Sequence, residues 1–554
     1  MNPSKKSFDG MNRILRYFKS LLLLSFFATT AEGQGLQNLK NLCAPGEGID
    51  ITSPLTVSGI VVSDWRSDNV AMNPMLYEGF TDTSVSARTV YLQEADGSMG
   101  ISLLFTSPVW NRLERYDHVT LDLCSCRVER FKSPDRIVVS GLGRNSVVSK
   151  TAGSRGDIAS KERRLCELTD ADIFTEVVIK GLEVVCKNGC WSNIYELYGQ
   201  YCRDIHRDVD YRMSGRMDGW ATLMRDGDGN CIYLDVNTLC PWRRDGNPVP
   251  SGVGDVRAVP VHEYNRHMGG NMGSYTLRPM WREDIMIDEK CPKDWWKTLT
   301  GWEYDGTGGQ YINFEMLGMQ GGVWKEGRSG DRVLNDRGEV TGYLWTDSGA
   351  KIHIDSDTDA LTVENKGYQK NGAIKFKSPT TSWFEFSPDG KVSARKSILV
   401  EFSTASVRAE LFRLSFSWAA GDQNVNNDRG YPSLWAVQCS TDGGKSWNTL
   451  KDCVTGSEEI SLPPLPFWDR ELADGTKVVT SADACLGLQQ RCFVLPSSIA
   501  GCPKVLVRLI PSGDSVMHLS DVFDAPTSGV EFMTADKTEY VTHISIGNLL
   551  IEYK

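Results

Sequence analysis

Long apolar runs are scarce in this chain, and their scarcity argues against helical membrane spans. None of its 554 residues fall in a stretch near the roughly 20 apolar residues that a helix needs to cross a bilayer. The compact apolar run 21–28 follows Lys5, Lys6, Arg13, Arg16 and Lys19 and precedes Ala31-Glu32-Gly33. A basic head, a short apolar centre and a small-residue end make an export signal. Residues 1–33 are therefore expected to be removed after Gly33, and Met11 offers a second start with the same features. A lipidated signal needs a cysteine at the cut, but the first cysteine is Cys43. The expectation is an exported chain with no lipid anchor and no transmembrane segment, placed in the periplasm, at the cell surface or outside the cell.

Positive charge is also short. There are 60 Lys and Arg against 71 Asp and Glu, and loss of residues 1–33 removes five basic and only two acidic residues. Arg127, Arg130, Lys132 and Arg136 form a local basic cluster, yet an acidic exported chain is a poor partner for a polyanion, and no nucleic acid is expected.

Catalytic signatures are missing as well. There is no G-x-S-x-G elbow, no phosphate-cradling glycine loop opening a helix and no cysteine in a protease context. His262 and His267 stand five apart after the strand-like VRAVPV, whereas a zinc-protease helix needs them four apart. Glycosidase carboxylates have no fixed spacing, so a carbohydrate-active hydrolase stays open as an alternative.

What is abundant points to strands. The 52 glycines and 16 tryptophans suit turn-rich β modules, and some 520 mature residues exceed what one core serves. Residues 55–65, LTVSGIVVSDW, alternate as a half-buried strand does. RTVYLQEADGSMGISL (88–103) sets Asp96-Gly97 between two apolar arms, which is a hairpin signal because these residues tolerate positive φ. Strand YDHVTLDL (116–123) follows. The order recurs in TEVVIKGLEVV (175–185), ATLMRDGDGNCIYLD (221–235) and GDVRAVPV (254–261), with Gly59 matching Gly181 and Asp96-Gly97 matching Asp228-Gly229. This reads as a duplication of a small barrel of the OB type, with an insertion in the second copy. The expected units are 34–168, 169–291 and 292–554.

The opening V-x-G-x-V-V-S-D (57–64), the Y-L-Q-x-x-D-G hairpin (91–97) and the closing Y-T-L-R-P-x-x-R-E-D-I (275–285) resemble an uncharacterised OB-like domain of exported proteins from Bacteroides-type bacteria. The resemblance spans about residues 40–290 and implies location and architecture, with no catalytic residues to carry over.

The last part has longer strands. AELFRLSFSW (409–418) sets Phe412, Leu414, Phe416 and Trp418 on one side; SILVEFS, SLWAVQCS, KVLVRLIP and HISIGNLLIEYK are similar. A jelly-roll-type β-sandwich is expected, giving an all-β chain of two tandem OB-like barrels and a sandwich. By texture, and by its final I-G-N-x-x-I-x-Y strand, it resembles ligand-binding sandwiches of exported bacterial proteins, which implies carbohydrate as ligand.

Ser440-Thr441-Asp442-Gly443-Gly444-Lys445-Ser446-Trp447 matches an Asp-box, read here as a turn-stabilising device since it occurs once. Asp226, Asp228 and Asn230 set oxygens at alternate positions as a calcium loop begins, but the bidentate Glu at the twelfth position is absent, so a polar turn competes with a calcium site and no other cofactor is expected. The 15 cysteines all follow residue 33; export favours some disulfides, the odd count leaves at least one cysteine unpaired, and the pairing is open. Trp295, Trp296, Trp302, Trp324, Trp345, Trp383 and Trp468 are candidates for stacking on sugar faces, with Trp295, Trp296, Trp324, Trp345 and Trp468 preferred. Three functions remain: a non-catalytic binding or adhesion protein for a glycan or another surface polymer, a secreted hydrolase, or an envelope assembly component that contacts envelope proteins.

Overall fold

The computed structural model describes residues 35–73, 84–185, 191, 221–237, 240–242, 249–250, 252–265, 270–288 and 296–302, and short strands between 333 and 395. It further describes 397–421, 431–463, 470–471, 477–478, 489–513, 515–517, 531–532 and 543–554. Residues 1–33, read from the sequence as an export signal, lie outside the described residues. These are almost wholly strands, and none of their helices is long and apolar enough to cross a membrane.

In the first sheet, strands Thr56–Val61, Thr89–Gln93 and Gly100–Phe105 form an antiparallel meander. A long bent hairpin follows. His118–Asp122 and Arg127–Lys132 run out, and Asp135–Leu142 and Val147–Thr151 return beside them. Its outward arm pairs antiparallel with Thr56–Val61 and its return arm pairs parallel with Gly100–Phe105. The sheet thereby closes into a five-stranded barrel around Val61, Leu92, Ile101, Leu103, Leu121 and Val139, all essentially solvent-free.

The second sheet repeats these pairings. Val177–Val184, Thr222–Arg225 and Cys231–Leu234 form the meander; Val253–Val261 pairs antiparallel with the first of them, and Thr276–Arg278 pairs parallel with the third. The duplication seen in the sequence is thus a duplication of strand order. The two hairpin glycines play the same part, with Gly97 at φ 69° and Gly229 at φ 86°, a conformation that costs glycine little. The short strand Glu162–Arg163 pairs in this second sheet.

Beyond residue 296 two sheets face each other. One joins Lys297–Trp302, His543–Tyr553, Phe412–Gly421 and Gln489–Leu495; the other joins Lys351–Asp355, Ser397–Phe402, Val505–Pro511 and Leu434–Ser440. Their core contact is aromatic: Trp418 of one sheet meets Trp435 of the other edge to face at 6.0 Å, and within the first sheet Phe416 stacks on Phe493 at 5.8 Å. Aligned sheets packed through such interdigitating side chains make a β-sandwich.

The Phe412–Gly421 strand is buried on its other side too, since Arg413 and Ser415 are as inaccessible as Phe412 and Phe416. The second barrel covers that side. Tyr233 donates its hydroxyl to the Gln490 carbonyl (2.6 Å), the Leu223 amide donates to the Gln490 side chain (3.0 Å), and Arg225 binds Glu552 at 2.6 and 3.1 Å. The two barrels join through an apolar cluster in which Tyr91 stacks on Phe174 at 5.0 Å. Beside it, buried Arg115 spans Glu176 (2.7 Å) and Asp284 (2.8 Å).

Candidate functional site

Turns far apart in sequence meet where the barrels and the sandwich adjoin. They enclose an open cleft of about 330 Å³, lined by residues 132–134 at the tip of the first barrel's long hairpin, by Asp170, by His262, Asn271, Gly273 and Ser274 of the second barrel, and by Thr455. Glycine makes the approach of two turns possible. Gly273 has φ 91°, and a Cβ there would stand 2.9 Å from both the side chain and the carbonyl of Val454. Asn271 holds the same turn by accepting the Gly273 amide (2.8 Å).

The lining is polar and fixed. Asp170 accepts the Tyr275 hydroxyl and the Asp135 amide, each at 2.8 Å. His262 Nδ1 lies 3.1 Å from the Ser274 carbonyl; a carbonyl only accepts, so Nδ1 carries the proton. Burial, with Arg136 adding repulsion, pushes the imidazole below its ordinary value. The ring is therefore neutral at pH 7, and with the proton on Nδ1 the lone pair is on Nε2. Lys132, Asn271 and Ser274 are exposed and supply donors.

Two exposed aromatic rings adjoin this polar floor in the chain. Phe131 precedes Lys132, is 39% exposed and carries the Arg136 guanidinium 4.3 Å from its ring centre. Tyr264 is 67% exposed and pairs in register with Asn271. Mixed donors and acceptors beside apolar ring faces suit a polyhydroxylated ligand, whose hydroxyls do both and whose ring faces are apolar. Asp170 is the one carboxylate among the described lining residues.

No family model matches the chain, and no curated protein matches it. Among solved structures it is similar to the K1 cleaved adhesin domain of Lys-gingipain from Porphyromonas gingivalis W83, at 17% identity and TM-score 0.17, over 37% of this chain and 90% of that one. It is similar to the K2 cleaved adhesin domain of Lys-gingipain at 11% identity and TM-score 0.16, over 33% and 71%. A CBM32 module of a family 31 glycoside hydrolase from Clostridium perfringens matches at 11% identity and TM-score 0.16, over 37% and 92%. Superpositions this loose carry no argument about this chain.

Of the tryptophans and turn residues proposed from sequence as ligand or metal sites, none that the structure describes lines the cleft. Trp296 is buried, with the guanidiniums of Arg225 and Arg413 at 4.7 and 4.8 Å from its ring centre. It belongs to the seam between second barrel and sandwich and offers no open face to a sugar. Trp295, Trp324, Trp345 and Trp468 lie outside the described residues. The Asp226–Asn230 stretch is a hairpin turn: Asp226 accepts both the Asn230 amide and its side-chain NH₂ at 2.8 Å, while Asp228 is exposed. The Asp-box is likewise a turn. Asp442 accepts the Ser446 amide (3.0 Å) and hydroxyl, Ser440 accepts the Gly444 amide (3.0 Å), and Trp447 lies under the Arg508 guanidinium at 4.0 Å. The cleft itself had one faint sequence signal, the turn-forming Gly269-Gly270-Asn271-Met272-Gly273-Ser274 run.

Proposed function

We propose that this is an exported, non-catalytic binding or adhesion protein that recognises a glycan, or another hydroxyl-rich surface polymer, in the cleft at the junction of its barrels and sandwich. The observation that carries this reading is the composition of the cleft's described lining: the Asp170 carboxylate, a neutral histidine with an acceptor nitrogen, and amide, hydroxyl and ammonium donors; exposed Phe131 neighbours Lys132 in the chain and exposed Tyr264 pairs in register with Asn271. Each contact with a hydroxyl is weak, and affinity comes from several made together on a pre-formed surface.

The test is affinity electrophoresis of the mature chain through gels containing soluble polysaccharides of differing composition. Retardation by at least one of them, lost in Ser274→Leu and in Tyr264→Ala, is expected. Ser274 and Tyr264 are exposed, so both variants should fold. Retardation unchanged in both would place the ligand elsewhere. A wild-type chain retarded by none would remove glycan recognition and favour a role in envelope assembly.

A further inference from the structure

Three cysteines distant in sequence converge at the seam between second barrel and sandwich. Cys231 opens a barrel strand, Cys492 lies in the sandwich strand Gln489–Leu495, and Cys453 donates its backbone amide to the Cys492 carbonyl at 2.8 Å. Their sulfurs all lie within 4.8 Å of one another, and all three are free thiols. Leu223, Tyr233 and Met272 pack around them.

Beside them is a buried cation. Arg413 is 1% exposed, and among the described residues no carboxylate pairs with it. Its Nη1 reaches Cys231 Sγ at 3.4 Å and Cys492 Sγ at 3.7 Å, while its Nε has no hydrogen-bond partner. A buried guanidinium needs an anion, and the sulfurs are what it faces.

We propose that Cys231, Cys453 and Cys492 form a three-thiolate site for zinc, placed where it ties the second barrel to the sandwich. Three thiolates carry three negative charges, which a divalent ion and the Arg413 guanidinium balance to neutrality, as a buried site requires. Thiolate sulfur binds zinc at about 2.3 Å, so tetrahedral sulfurs sit about 3.8 Å apart, and sulfurs within 4.8 Å of one another would each move inward by at most about 0.6 Å. Cys231 and Cys453 are only partly buried, which leaves a fourth position for water. Binding releases the protons still held by the thiols and involves no oxidant or reductant.

The experiment uses the full mature chain, purified anaerobically under reducing conditions and titrated with zinc alone against a chromophoric chelator. Thiol alkylation is mapped by mass spectrometry with and without zinc, so that the twelve other cysteines of the 15 are read separately. Expected are one zinc per chain, protection of Cys231, Cys453 and Cys492 that a strong chelator reverses, and sulfur-to-cobalt charge-transfer absorption when Co(II) replaces zinc. Cys453→Ser should weaken zinc binding more than about a hundredfold, beyond the 10–100-fold that losing an outer hydrogen-bond partner brings. Alkylation of the wild-type chain that zinc leaves unchanged at these three positions would overturn the proposal without reliance on any variant. So would a peptide-mapped disulfide between two of them in chain purified without reductant.

Discussion

Arg278→Met should destabilise the barrel pair strongly above pH 7 and much less at pH 5. Arg278 is fully buried and binds Asp235 (2.7 Å), Glu263 (2.7 Å), Asn237 (2.8 Å) and Asn69 of the first barrel (3.0 Å). Burial, opposed by Arg278 and aided by Glu263, pushes the Asp235 carboxyl up to about 7. A carboxyl whose folded value is raised holds a proton that the unfolded chain has lost. Its stabilising contribution is complete below about 3.8, the ordinary value, and is lost as pH rises through 7. Without Arg278, which opposes the shift, the Asp235 carboxyl rises further. Near pH 8 the variant must bury unpaired negative charge or take up protons, a loss of about 3–5 kcal/mol. At pH 5 the Asp235 carboxyl is already protonated, and the loss falls toward that of the missing hydrogen bonds, roughly 1–2 kcal/mol. Thermal unfolding of the mature chain at the two pH values reads the difference, with a larger Tm decrease at pH 8 by several degrees. The triple variant Arg278→Met, Asp235→Asn, Glu263→Gln should recover most of the pH 8 loss. Equal losses at both pH values, or a triple variant no better than the single one, would refute the reasoning.

Other consequences follow from the same contacts. Trp296→Leu removes the ring between two guanidiniums and should loosen the seam by roughly 2 kcal/mol; hydrogen exchange should quicken in Cys231–Leu234 while polysaccharide retardation stays as in the wild type. Burial alone would raise the Asp172 carboxyl, but Lys161 (2.7 Å), the Thr169 amide (2.8 Å) and Arg163 (3.3 Å) hold it below its ordinary value. Its contribution is therefore present above about 3.8 and lost as pH falls through the lowered value. Asp172→Asn should cost roughly 2 kcal/mol at pH 7 and progressively less in acid, as denaturation midpoints would show. Ligand affinity at the cleft should be flat from pH 7 upward and fall only on acidification below the ordinary imidazole value, because a proton on His262 Nε2 removes its acceptor. Calorimetric titration across pH checks this, and His262→Ala should abolish the dependence.

The barrels were legible because their information is local. Alternating β-branched residues in 55–65 and 175–185 and a glycine at positive φ in each hairpin specify strand and turn within a few residues, and two copies of one pattern reveal the shared order. The sandwich strand 409–418 was legible on its aromatic side only. That Arg413 and Ser415 are buried as well depends on the second barrel packing over them, which periodicity does not encode. Trp296 was misplaced for the same reason: its two arginine neighbours lie about 70 and 120 residues away. The cleft was invisible because it is assembled from short polar turns in three parts of the chain, with no spacing rule to link Lys132, Asp170, His262, Ser274 and Thr455. The cysteine trio escaped likewise, since metal-ligand spacing is recognisable only when ligands are near in sequence.

The most direct test of glycan recognition at the junction cleft is a glycan array probed with the mature chain and with Ser274→Leu side by side. Binding of the wild-type chain to a defined set of glycans, at least tenfold weaker for the variant on the same spots, is the predicted result. Equal binding by both, or a folded wild-type chain that binds nothing on the array, would contradict it.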